Sequence, residues 1–133
     1  MKLLRTALRL DSVVTTGNGL AYLAFAGPLH ELLGPSAGLL RALGILLILY
    51  GAAVMLVSLP AAISRAATWT VVAVNGLWTV ASIAELLAGG LDTTTAGSVW
   101  VVLQALTVGG FAGLQFLGLR SAAEPGLAAS STR

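Results

Sequence analysis

Between Arg41 and Arg65 the chain reads ALGILLILYGAAVMLVSLPAAIS, residues 42–64, a run of 23 residues without a charge. A bilayer core about 30 Å thick is crossed by roughly 20 apolar residues at about 1.5 Å per residue of helix. This run is therefore long enough to cross once. Three more uncharged runs flank it: 18 residues between Asp11 and His30, 19 between Arg65 and Glu85, and 27 between Asp92 and Arg120. Backbone amides in lipid must be satisfied within their own segment, so each run reads as a helix. The fold class is all-α, a four-transmembrane-helix bundle with spans at 12–33, 36–59, 66–88 and 96–119.

Composition supports the same reading. Charged residues are 9% of the 133 and hydrophobic residues 57%, with a mean hydropathy of +0.95, whereas a soluble domain carries about 25% charge to keep its surface wet. A soluble fold is excluded. There is no cysteine and only one histidine, His30, so disulfides, thiolate nucleophiles and soft metal sites have no basis. No cofactor is expected. A formal charge of +2 is too small and too dispersed for a nucleic-acid surface; the lipid bilayer is the expected partner.

Lys2, Arg5 and Arg9 recur at helical spacing among leucines, which predicts a cytoplasmic amphipathic lead-in over 1–11 lying at the interface. Ala24-Phe25-Ala26 resembles a signal-peptidase site, but Asp11 and Thr15-Thr16-Gly17-Asn18 interrupt the apolar run such a signal needs, so span one is expected to be retained. Pro28 cannot donate to the Ala24 carbonyl, which predicts a kink or stop near Gly27 with residues 29–33 along the membrane surface. Gly34-Pro35-Ser36, Leu59-Pro60 and Gly89-Gly90-Leu91-Asp92 punctuate the spans, and the small, polar stretch 120–133 reads as a disordered cytoplasmic tail. With four spans, Lys2, Arg5, Arg9, Arg65, Arg120 and Arg133 share one side and Arg41 alone takes the other, with Glu31, Glu85 and Asp92. The positive-inside rule then puts both termini in the cytoplasm of a multi-pass protein of the cell membrane.

Asn18-Gly19-Leu20 recurs as Asn75-Gly76-Leu77, each followed by an aromatic and later by Glu-Leu-Leu. This reads either as a duplicated two-helix hairpin, 2+2 with parallel repeats, or as chance in a chain rich in Ala, Gly and Leu. Asn75, Thr79, Ser82 and Glu85 draw a polar stripe along span three, and Gln104, Thr107 and Gln115 draw one along span four. Lipid offers such groups no partners, so both stripes face the interior. They serve either as interhelical hydrogen bonds or as the lining of a cavity that includes Asn18, Asn75, Thr79, Ser82, Gln104 and Thr107. Arg41 and Glu85 lie at matching depth on sequential spans and are expected to pair, while Asp11 reads as a boundary anchor within reach of Arg9, Arg65 or Arg120. Ala37, Gly44, Gly51 and Ser58 fall at every seventh position, and Ala105, Gly109 and Gly113 at every fourth. Both strips allow close helix approach; the first is expected to act inside the protomer and the second in homo-oligomerisation. Trp69 and Trp100 read as belt residues at opposite interfaces, with Trp78 in mid-span.

Residues 8–14 (LRLDSVV), 18–29 (NGLAYLAFAGPL) and 98–105 (SVWVVLQA) together resemble small four-span integral membrane proteins of high-GC actinobacterial type. The resemblance implies four spans and no particular activity. Small multidrug exporters and fluoride channels share the size, but the span-one glutamate of the former and the span-three phenylalanine pattern of the latter are missing. The sequence thus points first to a non-enzymatic protein acting by helix association as a structural or accessory subunit. The alternative is a carrier or binder of a small apolar or amphipathic solute in the polar-striped interior. No nucleophile–base pair, metal constellation or phosphate loop for an enzyme can be assembled from it.

Overall fold

The computed structural model describes residues 2–89 and 93–131, with side chains described as far as residue 121. It is helical, with no strand among the described residues: α1 Lys2–Ala24, α2 Ala26–Leu33, α3 Ala37–Ser58, α4 Arg65–Ala88 and α5 Thr95–Ser131. The starts of α3, α4 and α5 are capped by hydroxyls, which satisfy unpaired amides of the first turn: Ser36 accepts from the Leu39 amide at 3.1 Å, Ser64 from Ala67 at 3.2 Å and Thr94 from Gly97 at 3.0 Å. The break between α1 and α2 falls at Phe25 (φ −120°, ψ 29°), three residues before Pro28, where the proline's missing amide proton is felt. α4 ends at Gly89, whose positive φ of 75° returns its amide to the Glu85 and Leu86 carbonyls; the rest of that predicted turn lies outside the described residues.

Two sequence expectations at the chain ends are corrected. The lead-in over 1–11 is not a separate interfacial helix but the first half of α1, because Leu4, Ala7 and Leu8 are buried in the bundle. Arg5 reaches across to the carbonyls of Ser58 and Ala61, closing the C-terminal end of α3, where cationic donors are favoured. The stretch after Leu119, expected as a disordered tail, continues α5 to Ser131 with Pro125 and Gly126 inside it. Among the described residues three helices combine the length and apolarity to cross a membrane, Ala37–Ser58, Arg65–Ala88 and Thr95–Ser121. α1, which carries Arg9, Asp11 and the Thr15–Asn18 polar run, is not one of them.

Packing follows the sequence periodicity. The buried face of α3 is Leu40, Gly44, Leu47, Gly51, Val54 and Ser58, alternating steps of four and three, the seam of a heptad helix pair. It packs antiparallel on α1, with Gly44 against Gly19, Gly51 against Ser12 and Thr16, and Ser58 against Arg5. A Cβ on Gly19 would lie 2.7 Å from the Gly44 carbonyl oxygen, and one on Gly44 2.7 Å from that of Gly19, so the two backbones approach as only glycine allows. α5 packs antiparallel on both α1 and α4, giving the lateral order α3, α1, α5, α4. Although α3 and α4 are consecutive in the chain, they barely touch. Two apolar clusters fill the ends of the bundle: Leu4, Leu8, Val54, Ile63, Val71 and Leu119 at the end where α1 begins, and Tyr22, Ala26, Leu40 and Leu47 at the α2 end.

The seam gives a direct prediction. Gly44→Leu forces the α1 and α3 backbones apart and should cost about 1–3 kcal/mol, the usual penalty of overpacking. Gly113→Leu, at an exposed position with nothing within 4 Å of its missing Cβ, should leave stability nearly unchanged. Thermal unfolding of the detergent-solubilised variants, followed by size-exclusion chromatography, checks the difference; equal losses would contradict the packing order.

Candidate functional site

Asp11 sits roughly 14 Å along α1 from Lys2 and is 0% exposed. Leu4, Leu8, Asp11, Thr15, Gly19 and Tyr22 share one face of α1 at steps of three and four, so burying the leucines carries the carboxylate inside with them. One carboxylate oxygen accepts from the Thr15 hydroxyl at 2.9 Å; the other accepts from Asn75 Nδ2 at 2.7 Å and Gln115 Nε2 at 2.8 Å. Asn75 Nδ2 also donates to Gln115 Oε1 at 3.1 Å, and Tyr50 donates to Asn75 Oδ1 at 3.0 Å. A single hydrogen-bonded cluster therefore joins α1, α3, α4 and α5. No cation takes part: Arg65 donates to the Leu119 carbonyl, and Arg120 lies over the Phe116 ring at 5.8 Å. Asp11 is thus not a boundary anchor. Its charge is met by three dipolar donors, which satisfy a buried carboxylate without a counter-ion.

A second polar tie lies nearer the α2 end. The Tyr22 hydroxyl accepts from Trp100 Nε1 and from Gln104 Nε2, both at 2.7 Å, fixing α5 to α1. Around these ties lie three cavities that share the Trp78 ring as a wall, the first and third reaching between α3 and α4 and the second lying mainly between α1 and α5. The widest, about 210 Å³, is lined by Tyr22, Leu40, Leu43, Trp78, Glu85 and Trp100 among others. The second, about 150 Å³, includes Asn18, Gln104 and Thr107. The third, about 100 Å³, runs down to Tyr50 and Asn75, where their hydrogen bond bridges the gap. Among the described residues no three His, Asp or Glu side chains gather as a metal site would need.

The structure brings together some of the residues singled out in the sequence and separates others. Asn18, Gln104 and Thr107 share one cavity, Ser82 lines the widest one, and Asn75 lines the third. Asn18 and Asn75 do not meet, however: Asn18 is half-buried with no hydrogen-bond partner among the described residues, because α1 turns Asp11, not Asn18, toward α4. Thr79 donates to the Asn75 carbonyl of its own helix and Thr107 to that of Leu103. Arg41 and Glu85 form no ion pair; both are exposed, on the two helices that scarcely touch. Ala105 is buried and a Cβ added to Gly109 would lie 3.5 Å from Thr79 of α4, so the first two members of the span-four strip pack inside the protomer and Gly113 is open. Trp100 is tied into the interior by Tyr22, and Trp69, partly exposed, meets Phe116 edge-on at 5.7 Å. Sequence reasoning missed Asp11, Tyr50 and Tyr22. The available signal for Asp11 was its four-residue spacing from Thr15, on the same face as the leucines.

No family model, curated protein or solved structure matches this chain. The site is therefore read from its own geometry. Asn75→Leu removes a donor from the buried carboxylate, leaving the Tyr50 hydroxyl the Val71 carbonyl at 3.3 Å, and should cost about 1–3 kcal/mol. Asn18→Leu, which breaks no such bond, should cost under about 0.5 kcal/mol. Equilibrium unfolding of the two variants in mild detergent measures both, and equal costs would contradict the network.

Proposed function

We propose that the protein is a four-span integral membrane protein that binds a small apolar or amphipathic solute in the cleft between α3 and α4, without making or breaking bonds. The observation that carries this reading is the gap itself. Sequential helices usually pack, yet here they stand apart along a cavity lined mostly by apolar and aromatic side chains, with a few convergent polar groups, the make-up of a small-molecule site. α1 serves as the fourth span despite its composition. Asp11, Ser12 and Thr15 are all buried against other helices, while Leu10, Val13, Leu20 and Leu23 face outward, so the polar groups that lower its hydropathy need not meet lipid. The cleft then opens sideways to acyl chains.

Binding is tested in nanodiscs with brominated decanol as a fluorescence quencher, using a Trp69→Phe background so that Trp78 and Trp100 report. Quenching should saturate, and Ala81→Phe, which fills the cleft wall, should abolish the saturable part. Quenching that rises linearly with membrane bromine and ignores Ala81→Phe would overturn the reading.

The orientation that goes with it, both termini cytoplasmic in the cell membrane, is supported by the gathering of six of the seven basic residues on that side. The chain has no cysteine of its own, so Thr94→Cys and Ser64→Cys are clean reporters. A membrane-impermeant thiol reagent on intact cells should label the first and spare the second; the reverse pattern would invert the topology.

A further inference from the structure

The widest cavity has a polarity of its own. Along α4 it belongs to a cleft that extends from Asn75 to Glu85, roughly 15 Å at the helical rise. Its walls are Leu40, Leu43 and the aromatic rings of Tyr22, Trp78 and Trp100, and Glu85 is its single charged lining residue among the described residues. Glu85 is exposed and has no ion-pair partner among the described residues; Arg41, the basic residue at matching depth on α3, is exposed and does not line the cavity. At the other end of the cleft, the donors of Asn75 and Gln115 are already engaged by Asp11. An anionic headgroup therefore finds no free donor at the bottom and a like charge at the mouth. A cationic headgroup finds a carboxylate at the mouth and aromatic faces beside it, the two groups that recognise alkylammonium ions.

Resting on the cleft reading above, we propose that the occupant is an amphipathic cation, an alkyl- or arylammonium with its head at Glu85 and its apolar body lying between α3 and α4 against Trp78. Glu85 sets the charge preference and the leucines and tryptophans hold the body.

Three ten-carbon probes separate the possibilities: decyltrimethylammonium, decanol and decanesulfonate, titrated calorimetrically into the full chain in nanodiscs of zwitterionic phosphatidylcholine. The cation should bind about fivefold more tightly than decanol, the scale of a partly solvated ion pair with an aromatic contribution, and decanesulfonate most weakly. Glu85→Gln, an exposed change that leaves the core untouched, should bring the cation to the level of decanol without altering decanol itself. Glu31→Gln, outside the lining, should preserve the preference. If the three probes bind alike and Ala81→Phe abolishes all of them, the cleft reading stands and the cation assignment falls. A cation preference that survives Glu85→Gln overturns the assignment too. If no probe binds saturably, both fall.

Discussion

A carboxylate out of water must be surrounded by donors, and Asp11 obtains its donors from three different helices' worth of side chains. Thr15 is local, but Asn75 and Gln115 come from α4 and α5, and Tyr50 joins through Asn75. Leaving such a group uncompensated costs several kcal/mol. The cluster consequently fixes the rotation of each helix about its own axis more tightly than leucine contacts do, since apolar packing tolerates small slips and a hydrogen bond at 2.7 Å does not. Apolar clusters on either side of this layer add burial, but the layer sets which faces meet.

Around that layer the bundle is uneven. The α1–α3 pair is drawn together by glycine against glycine, and α5 is tied to α1 at two heights, by Gln115 below and by Trp100 and Gln104 above. No comparable seam joins α3 to α4, where the Tyr50–Asn75 hydrogen bond is the polar bridge. The cavities follow from this imbalance: α3 is held by α1, α4 is held by α5, and the two are left facing each other across a gap.

The expected spans 36–59 and 66–88 were legible in the sequence because bilayer thickness and helical rise constrain them, the expected span 12–33 was not, being divided between α1 and α2, and the seam of α3 was legible because Gly44 and Gly51 recur at seven residues. The azimuthal order of the helices was not. Arg41 and Glu85 match in depth, but depth carries no information on which face a residue occupies, and they do not pair. Asn18 and Asn75 sit in identical Asn-Gly-Leu triplets, yet Gly19 is pressed against α3 while Gly76 has open space beside it; the same letters serve different neighbours. Asp11 was hidden by Arg9 two residues before it, which made it look like a boundary residue. Its burial depends on Leu4 and Leu8 pulling the start of α1 into the bundle, a tertiary fact that local pattern does not contain.

The void between α3 and α4 also makes the molecule mechanically anisotropic. Close-packed interiors resist compression, so the glycine-seamed α1–α3 pair behaves as a stiff plate, and the gap is the direction in which the bundle yields. In a bilayer, lateral pressure from acyl chains would act in that direction. With the Tyr50–Asn75 bond as a strut near one end of the gap, squeezing would narrow the Glu85 end first, so that α3 and α4 pivot like the arms of tweezers about a hydrogen bond.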